Sequence, residues 1–315
     1  MNLTRRRFVV SVPALFSLPP LVSGAGSVAG ALGKAKFERF VTEKGYCEGP
    51  TWLDGDLFFC SDGLLRVDPN GRVSRRTDVS PAGTAAGGDG LLFICDNKHK
   101  AILRRSSKGE LDVLADRFED KPLRSLNDLT FDPRGNLYWT DPVGSSLKNP
   151  EGHVFRLRPN GRVDKFVTGL AFPNGLDVDP AGKFLYVVET LTKKVLRYAL
   201  KGDGPGGKPE TVYDLGGNGG DGCAFDAEGN LWVADSHRPK TKHGRVAVIT
   251  PEGKLLGTLD APVHSLTNVT FGGLAHDEIF CTGGEPNGVL RAAVGVKGFV
   301  GHRAKPMKAL RRLPR

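Results

Sequence analysis

Glu48, Asn127, Asn174 and Asp221 are the residues of this chain whose types and spacing best suit chemistry. Two carboxylates and two amide carbonyls are hard oxygen donors, the kind that hold Ca²⁺, Mg²⁺ or Mn²⁺. No histidine stands among them, which weighs against a typical zinc site. Two buried carboxylates without a cation between them would repel one another and lose their hydration. These four lie far apart in sequence. Only a fold that brings the chain back repeatedly to one axis can assemble them.

The spacing supplies such a fold. Asn127, Asn174, Asp221 and Asn268 follow one another at intervals of 47 residues. A fixed period of this size marks a repeat architecture. Each of the four opens the same kind of phrase. A short apolar run (LTF, LDV, CAF, VTF) leads, in the first three, to a glycine turn (DPRGN, DPAGK, DAEGN). A run rich in aromatic and branched residues follows (LYWT, FLYVV, LWVA, EIFC). These are strand–turn–strand signals. Third and fourth strands follow, and four strands make one propeller blade.

Second strands end at Asp141 and Asp235, each 14 residues after its polar residue. Equivalent strands end at Asp62 and Asp96, and the same count back reaches Glu48 and Ala82. The reading is an all-β, six-bladed propeller of four-stranded antiparallel blades around a central tunnel, spanning residues 36–300. The donors then ring one mouth of the tunnel. The ring is lopsided, because blade two offers only Ala82. That open side leaves room for a substrate, and Asn268 is left in a supporting role.

Residues 1–31 resemble a twin-arginine export signal: Arg5, Arg6 and Phe8 precede an apolar stretch, and Ala29-Gly30-Ala31 offers a cleavage site. Pro13, Pro19 and Pro20 break that stretch short of the ~20 residues a spanning helix needs. The expectation is export by the twin-arginine machinery to a bacterial periplasm, and no integral membrane protein. The net charge of +9 is carried by Arg5–Arg7 and by six cations of a basic tail, residues 301–315. The propeller body is neutral, so nucleic acid is not an expected partner. The tail reads as solvated. The five cysteines form no C-x-x-C pair. The letters G-x-G-x-x-G at residues 202–207 enclose a proline and precede no helix, so they read as a loop.

The phrases CEGPTW, LNDLTFDPRGNLYWTDP, FPNGLDVDPAGKFLY, DGCAFDAEGNLWVA, TNVTFGG and VGVKG occur in order and cover nearly the whole propeller. In them the chain resembles the family of gluconolactonases, senescence-marker protein and luciferin-regenerating enzyme. The resemblance implies lactone hydrolysis with one divalent cation, Ca²⁺ foremost, with Mg²⁺, Mn²⁺ or Zn²⁺ as alternatives. It implies metal binding by Glu48, Asn174 and Asp221, with Asn127 on the metal or the substrate. The family's substrate-contacting arginine, two residues before that asparagine, is replaced here by Ser125, with Arg124 one step away. On this reading Asn127, Asp128 and Arg124 orient a sugar lactone. The cation polarises its carbonyl, and Asp221 doubles as general base for the attacking water. Alternatives are a phosphotriesterase or other esterase on the same scaffold, and a non-catalytic ligand-binding propeller with a structural metal.

Overall fold

The computed structural model describes residues 25–315 apart from 89, 143, 236–242, 285 and 315. The paired arginines lie outside the described residues. Six antiparallel sheets form the expected ring. Their innermost strands are Glu48–Leu53, Pro81–Gly88, Leu129–Phe131, Pro173–Val178, Gly220–Phe225 and Ser265–Gly272. Every expected repeat start falls within two residues of, or inside, one of these strands.

The repeated phrase has a local cause. In DPRGN, Asp132 Oδ1 accepts from the backbone N–H of Arg134 and Asn136, while Oδ2 accepts from the Asn136 amide and Tyr138 hydroxyl. In DAEGN, Asp226 repeats the pattern with Glu228, Asn230 and the Trp232 indole. One aspartate therefore closes the turn between first and second strands and anchors the aromatic that follows. The aromatics then pack the blades. Trp139 stacks on Phe155 with ring centroids 5.2 Å apart, and Trp232 meets Phe271 edge-on at 5.2 Å.

The ring is closed from both ends of the chain. Glu38–Thr42 pairs with Gly288–Ala293 as the outer strand of blade six, so the first strand of the propeller completes the last blade. Helix Ala25–Leu32 packs Val28 and Leu32 into the apolar cluster shared by blades five and six. The Ala29–Ala31 motif lies within this helix, so cleavage there would require the helix to leave its groove. No described helix is long and apolar enough to cross a membrane. All five cysteines are buried and free.

The basic tail differs from its reading as a solvated extension. Phe299 and His302 pass under the tunnel, where the Phe299 N–H donates to Phe225 O and His302 Nε2 lies 2.9 Å from Asp179 O. Met307 is buried beside Trp139 and Phe155. Arg311 and Arg312 form a fifth strand on Leu111–Ala115 of blade two. Their guanidiniums pair with Asp116, Asp112 and Glu110. The acids that pair with Arg311 and Arg312 sit on blade two, where no local sequence pattern reveals the pairing. Met307→Ala should lower unfolding stability by about 2–4 kcal/mol, the cost of a buried methionine side chain. A urea titration reads this, and an unchanged midpoint would show that the segment is not anchored there.

Candidate metal centre

The inner strands reach the axis because they lack side chains where they cross. Glycine follows the ring residue in four blades: Gly49, Gly83, Gly175 and Gly222. A Cβ on Gly175 would lie 2.4 Å from the Asp221 carbonyl oxygen, and one on Gly222 would lie 1.9 Å from Asn268 Cγ. The E-G, N-G and D-G pairs are thus one steric requirement. The glycine lets neighbouring backbones touch, and the residue before it is carried to the axis. Pairing to the second strand also slips there, between Glu48 and Thr51, Pro173 and Leu176, and Gly220 and Cys223. Such bulges re-aim side chains.

Glu48, Asn127, Asn174 and Asp221 do come together. They line one open cavity of about 360 Å³, with Tyr46, Ala82, Ser125 and Phe172 among its other walls. Asn127 Nδ2 donates to Asn174 Oδ1 at 2.9 Å, and Asn174 Nδ2 donates to Thr190 Oγ1 at 3.2 Å. Thr190 Oγ1 in turn donates to Gly220 O in the next blade at 2.7 Å. Thr140, at the equivalent strand end in blade three, donates to Asn174 O at 2.7 Å. Hydroxyls at second-strand ends therefore stitch blade three to the start of blade four, and blade four to the start of blade five. Ala82 forms part of the cavity wall on the side left without a donor, as the lopsided ring requires.

Asn268 supports Glu48. Its amide opposes the upward shift of the Glu48 carboxyl and donates to Asp128 Oδ2 at 3.2 Å. Asp128 itself does not line the ring cavity. Its side chain lies deeper in the tunnel, in a chamber of about 120 Å³ shared with Thr130, Asp177 and His302. Arg124 also lies apart. It lines an adjacent cavity with Phe118, Lys121 and His153, while Ser125 faces the ring. Of the three residues expected to orient substrate, only Asn127 reaches the cavity. The one-residue offset sends Arg124 to the other side of its segment, as alternation along an extended chain dictates. Tyr46 and Phe172 were missed, since both stand in loops outside the repeat.

The electrostatics suit a cation. Burial, then the charges of Asp221 and Asp128, push the Glu48 carboxyl well above the usual range. Burial and the Asp128 charge do the same to Asp221, against hydrogen bonds from Glu48 and Asn174. Asp221 Oδ1 is buried with no hydrogen-bond partner. An orphaned carboxylate oxygen among hard oxygen donors fits a divalent ion of the Ca²⁺ or Mg²⁺ kind. Glu48, Asn127, Asn174 and Asp221 would hold it.

Residues 46–284 match the family described as SMP-30/Gluconolactonase/LRE-like region. The chain belongs to this family. Within it, the chain is 32% identical over 213 residues to lactonase drp35 of Staphylococcus aureus, an alignment that spans 63% of each protein. It is 28% identical over 273 residues to the gluconolactonase of Zymomonas mobilis, covering 72% of this chain and 73% of the other. With regucalcin of Xenopus laevis it shares 30% over 253 residues, 75% of this chain and 82% of the relative. Among solved structures, the gluconolactonase XC5397 of Xanthomonas campestris superposes with a TM-score of 0.72 at 24% identity, over 83% of this chain and 90% of that one. A luciferin-regenerating enzyme gives 0.71 at 22%, over 86% and 99%. The family match ends at residue 284, before the strap under the tunnel, and leaves that segment to be read from the structure.

Two predictions follow from this geometry. Gly175→Ala must push blade four from blade five, and should cost about 1–3 kcal/mol of stability together with weaker cation binding. Calorimetry on the variant checks both, and an unchanged cation affinity would break the link between strand approach and ring geometry. Asp177 gives the second. Burial pushes its carboxyl up to about 6, against about 4 in an unfolded chain. The group takes up its proton more readily when folded, so its contribution is fully present below pH ~4 and is lost as pH rises through ~6. Thermal unfolding between pH 5 and 7 should therefore slope downward less steeply in Asp177→Asn than in the parent.

Proposed function

We propose that this chain is a divalent-metal-dependent hydrolase that opens lactones. The observation that carries the reading is the convergence of Glu48, Asn127, Asn174 and Asp221 in one open cavity, with Asp221 Oδ1 left unpartnered. Membership in the family and its relatives named lactonase and gluconolactonase support the same chemistry. Ca²⁺ is the cation that the donor set favours, since amide and carboxylate oxygens are the hard donors it takes. When bound, the cation supplies Lewis acidity at the lactone carbonyl and a counter-charge for its oxygen.

The protein's own residues do the rest. Asp221 takes a proton from water as the water oxygen bonds to the carbonyl carbon. The ring C–O bond then breaks, and the departing oxygen receives a proton, giving a hydroxy acid. Asp221 is the carboxylate of the cavity with an oxygen free of hydrogen bonds, and this favours it for the step. Asn127 stands on the cavity wall where it can hold the lactone near Asp221. Glu48 and Asn174 fix the place at which charge is met, because the threonine stitches and Asn268 leave them little freedom.

Lactone opening releases acid, so a pH-indicator assay follows it. Treatment with a chelator should abolish acid release and re-added Ca²⁺ should restore it. Asp221→Asn should lower kcat by at least about a hundredfold, the usual scale for a lost general base. Cation uptake at pH 7 should also release protons, since ionised Glu48 and Asp221 are the binding forms. The enthalpy of Ca²⁺ binding would then vary with the ionisation heat of the buffer. Full lactone turnover in Asp221→Asn with cation bound would remove that residue from the base role.

A further inference from the structure

Phe172 is a bulky residue held in a conformation that bulky residues avoid. Its φ is 62°, in the left-handed region, and it precedes Pro173. A residue before proline favours extended backbone, and an aromatic at positive φ is a true outlier. The conformation is held from two sides. The Phe172 N–H donates to Ser145 Oγ at 3.1 Å, and its carbonyl accepts from the Thr190 N–H at 3.1 Å. Strain of this kind persists where the surroundings over-determine it, and it gathers at functional sites. Glycine would satisfy the backbone more easily. What phenylalanine adds is a ring on the wall of the metal cavity.

The opposite wall carries Tyr46, which is 62% exposed although it is large and partly apolar. Pro142 adds to the apolar lining. The polar groups of the same walls are mostly committed elsewhere. Asn97 exchanges two hydrogen bonds with the Leu126 backbone, at 2.8 and 3.1 Å. Ser145 Oγ donates to Leu170 O while accepting from Phe172. Among the described residues outside the ring itself, the Ser125 and Tyr46 hydroxyls are the side-chain groups left to meet a substrate hydroxyl. A polyhydroxylated lactone would bury several hydroxyls with few partners, and an unpaired buried hydroxyl is penalised. An apolar substituent would instead lie against Phe172 and Tyr46.

We propose that the lactones opened at this site carry an aryl or alkyl substituent seated between Phe172 and Tyr46, in preference to hydroxyl-rich sugar lactones. This rests on the lactone reading above and narrows its substrate class. Phe172 is then a specificity-determining residue, and the strain at its backbone is retained because the ring is needed there.

The test compares a phenyl-substituted δ-lactone with glucono-δ-lactone on the Ca²⁺-loaded full chain. The parent should favour the phenyl lactone in kcat/KM. Phe172→Gly keeps the backbone conformation without strain, so it should fold, and its thermal midpoint checks this. The ratio of kcat/KM values, phenyl over sugar lactone, should fall by about tenfold or more, the scale of losing an apolar wall. Phe172→Leu should give an intermediate ratio. A parent that favours glucono-δ-lactone, or a ratio unmoved by Phe172→Gly, overturns the proposal while the lactone reading stands. Failure of the parent to open either lactone overturns both.

Discussion

Everything at the axis of this propeller depends on strands approaching too closely for a β-carbon. Blade four touches blade five through Gly175 and the Asp221 carbonyl, and blade five touches blade six through Gly222 and Asn268. The same contact sets the radius of the ring and the separation of its donors. A wider ring would leave Glu48, Asn127, Asn174 and Asp221 as isolated surface groups. A ring this narrow forces two acids into one desolvated space, where they resist ionising together. The fold thus creates an electrostatic problem that a cation or a proton must answer, and the site's chemistry starts from that answer.

The threonine stitches explain why the ring does not relax outward. Thr140 and Thr190 each reach from the end of one blade's second strand to the backbone of the next blade's inner strand. Thr84 and Thr267 act from inner strands instead: Thr84 joins blade two back to blade one through Gly49 O, and Thr267 joins blade six to blade one through Cys47 O. These bonds lie within buried surroundings, where leaving a partner unmet is costly. They hold the strands at the distance that the glycines permit. The pairing of Glu38–Thr42 with the last blade makes this a closed circuit, so outward motion of one blade must break contacts on both of its sides.

Legibility in the sequence follows from what is local and repeated. The turn aspartates, the glycines behind the ring residues and the aromatic second strands recur because each blade faces the same steric demands. A period of 47 residues therefore exposed blades three to six, and the 14-residue count back from the second strands reached Glu48 and the gap at Ala82. Asp128 and Arg124 were placed less well, because neither is set by the repeat. Blades three and six have no glycine after the ring position, and the Asp128 side chain turns down the tunnel. Arg124 belongs to the irregular segment that enters blade three. The docking of the tail was illegible for another reason. It joins Arg311 and Arg312 to acids some 200 positions earlier, and such pairing leaves no mark on local pattern.

The tail also changes what the tunnel can be. Phe299, Val300, Gly301 and His302 wall its lower end, leaving a small polar chamber below the ring and a larger cavity above it. Asp128 and Asp177 in that chamber carry carboxyls that burial pushes up to about 7 and about 6. Both have their oxygens engaged, Asp128 by Leu129 and Asn268, Asp177 by Thr130, Val178 and Phe225. In the lower chamber both carboxylates are therefore satisfied and the orphan is a neutral-ring nitrogen, His276 Nε2, whereas the ring above keeps an unpartnered carboxylate oxygen. That contrast assigns the two ends of the tunnel different work. The closed end holds the inner strands in place, and the open end, flanked by Tyr46 and Phe172, is the one that can receive a substrate.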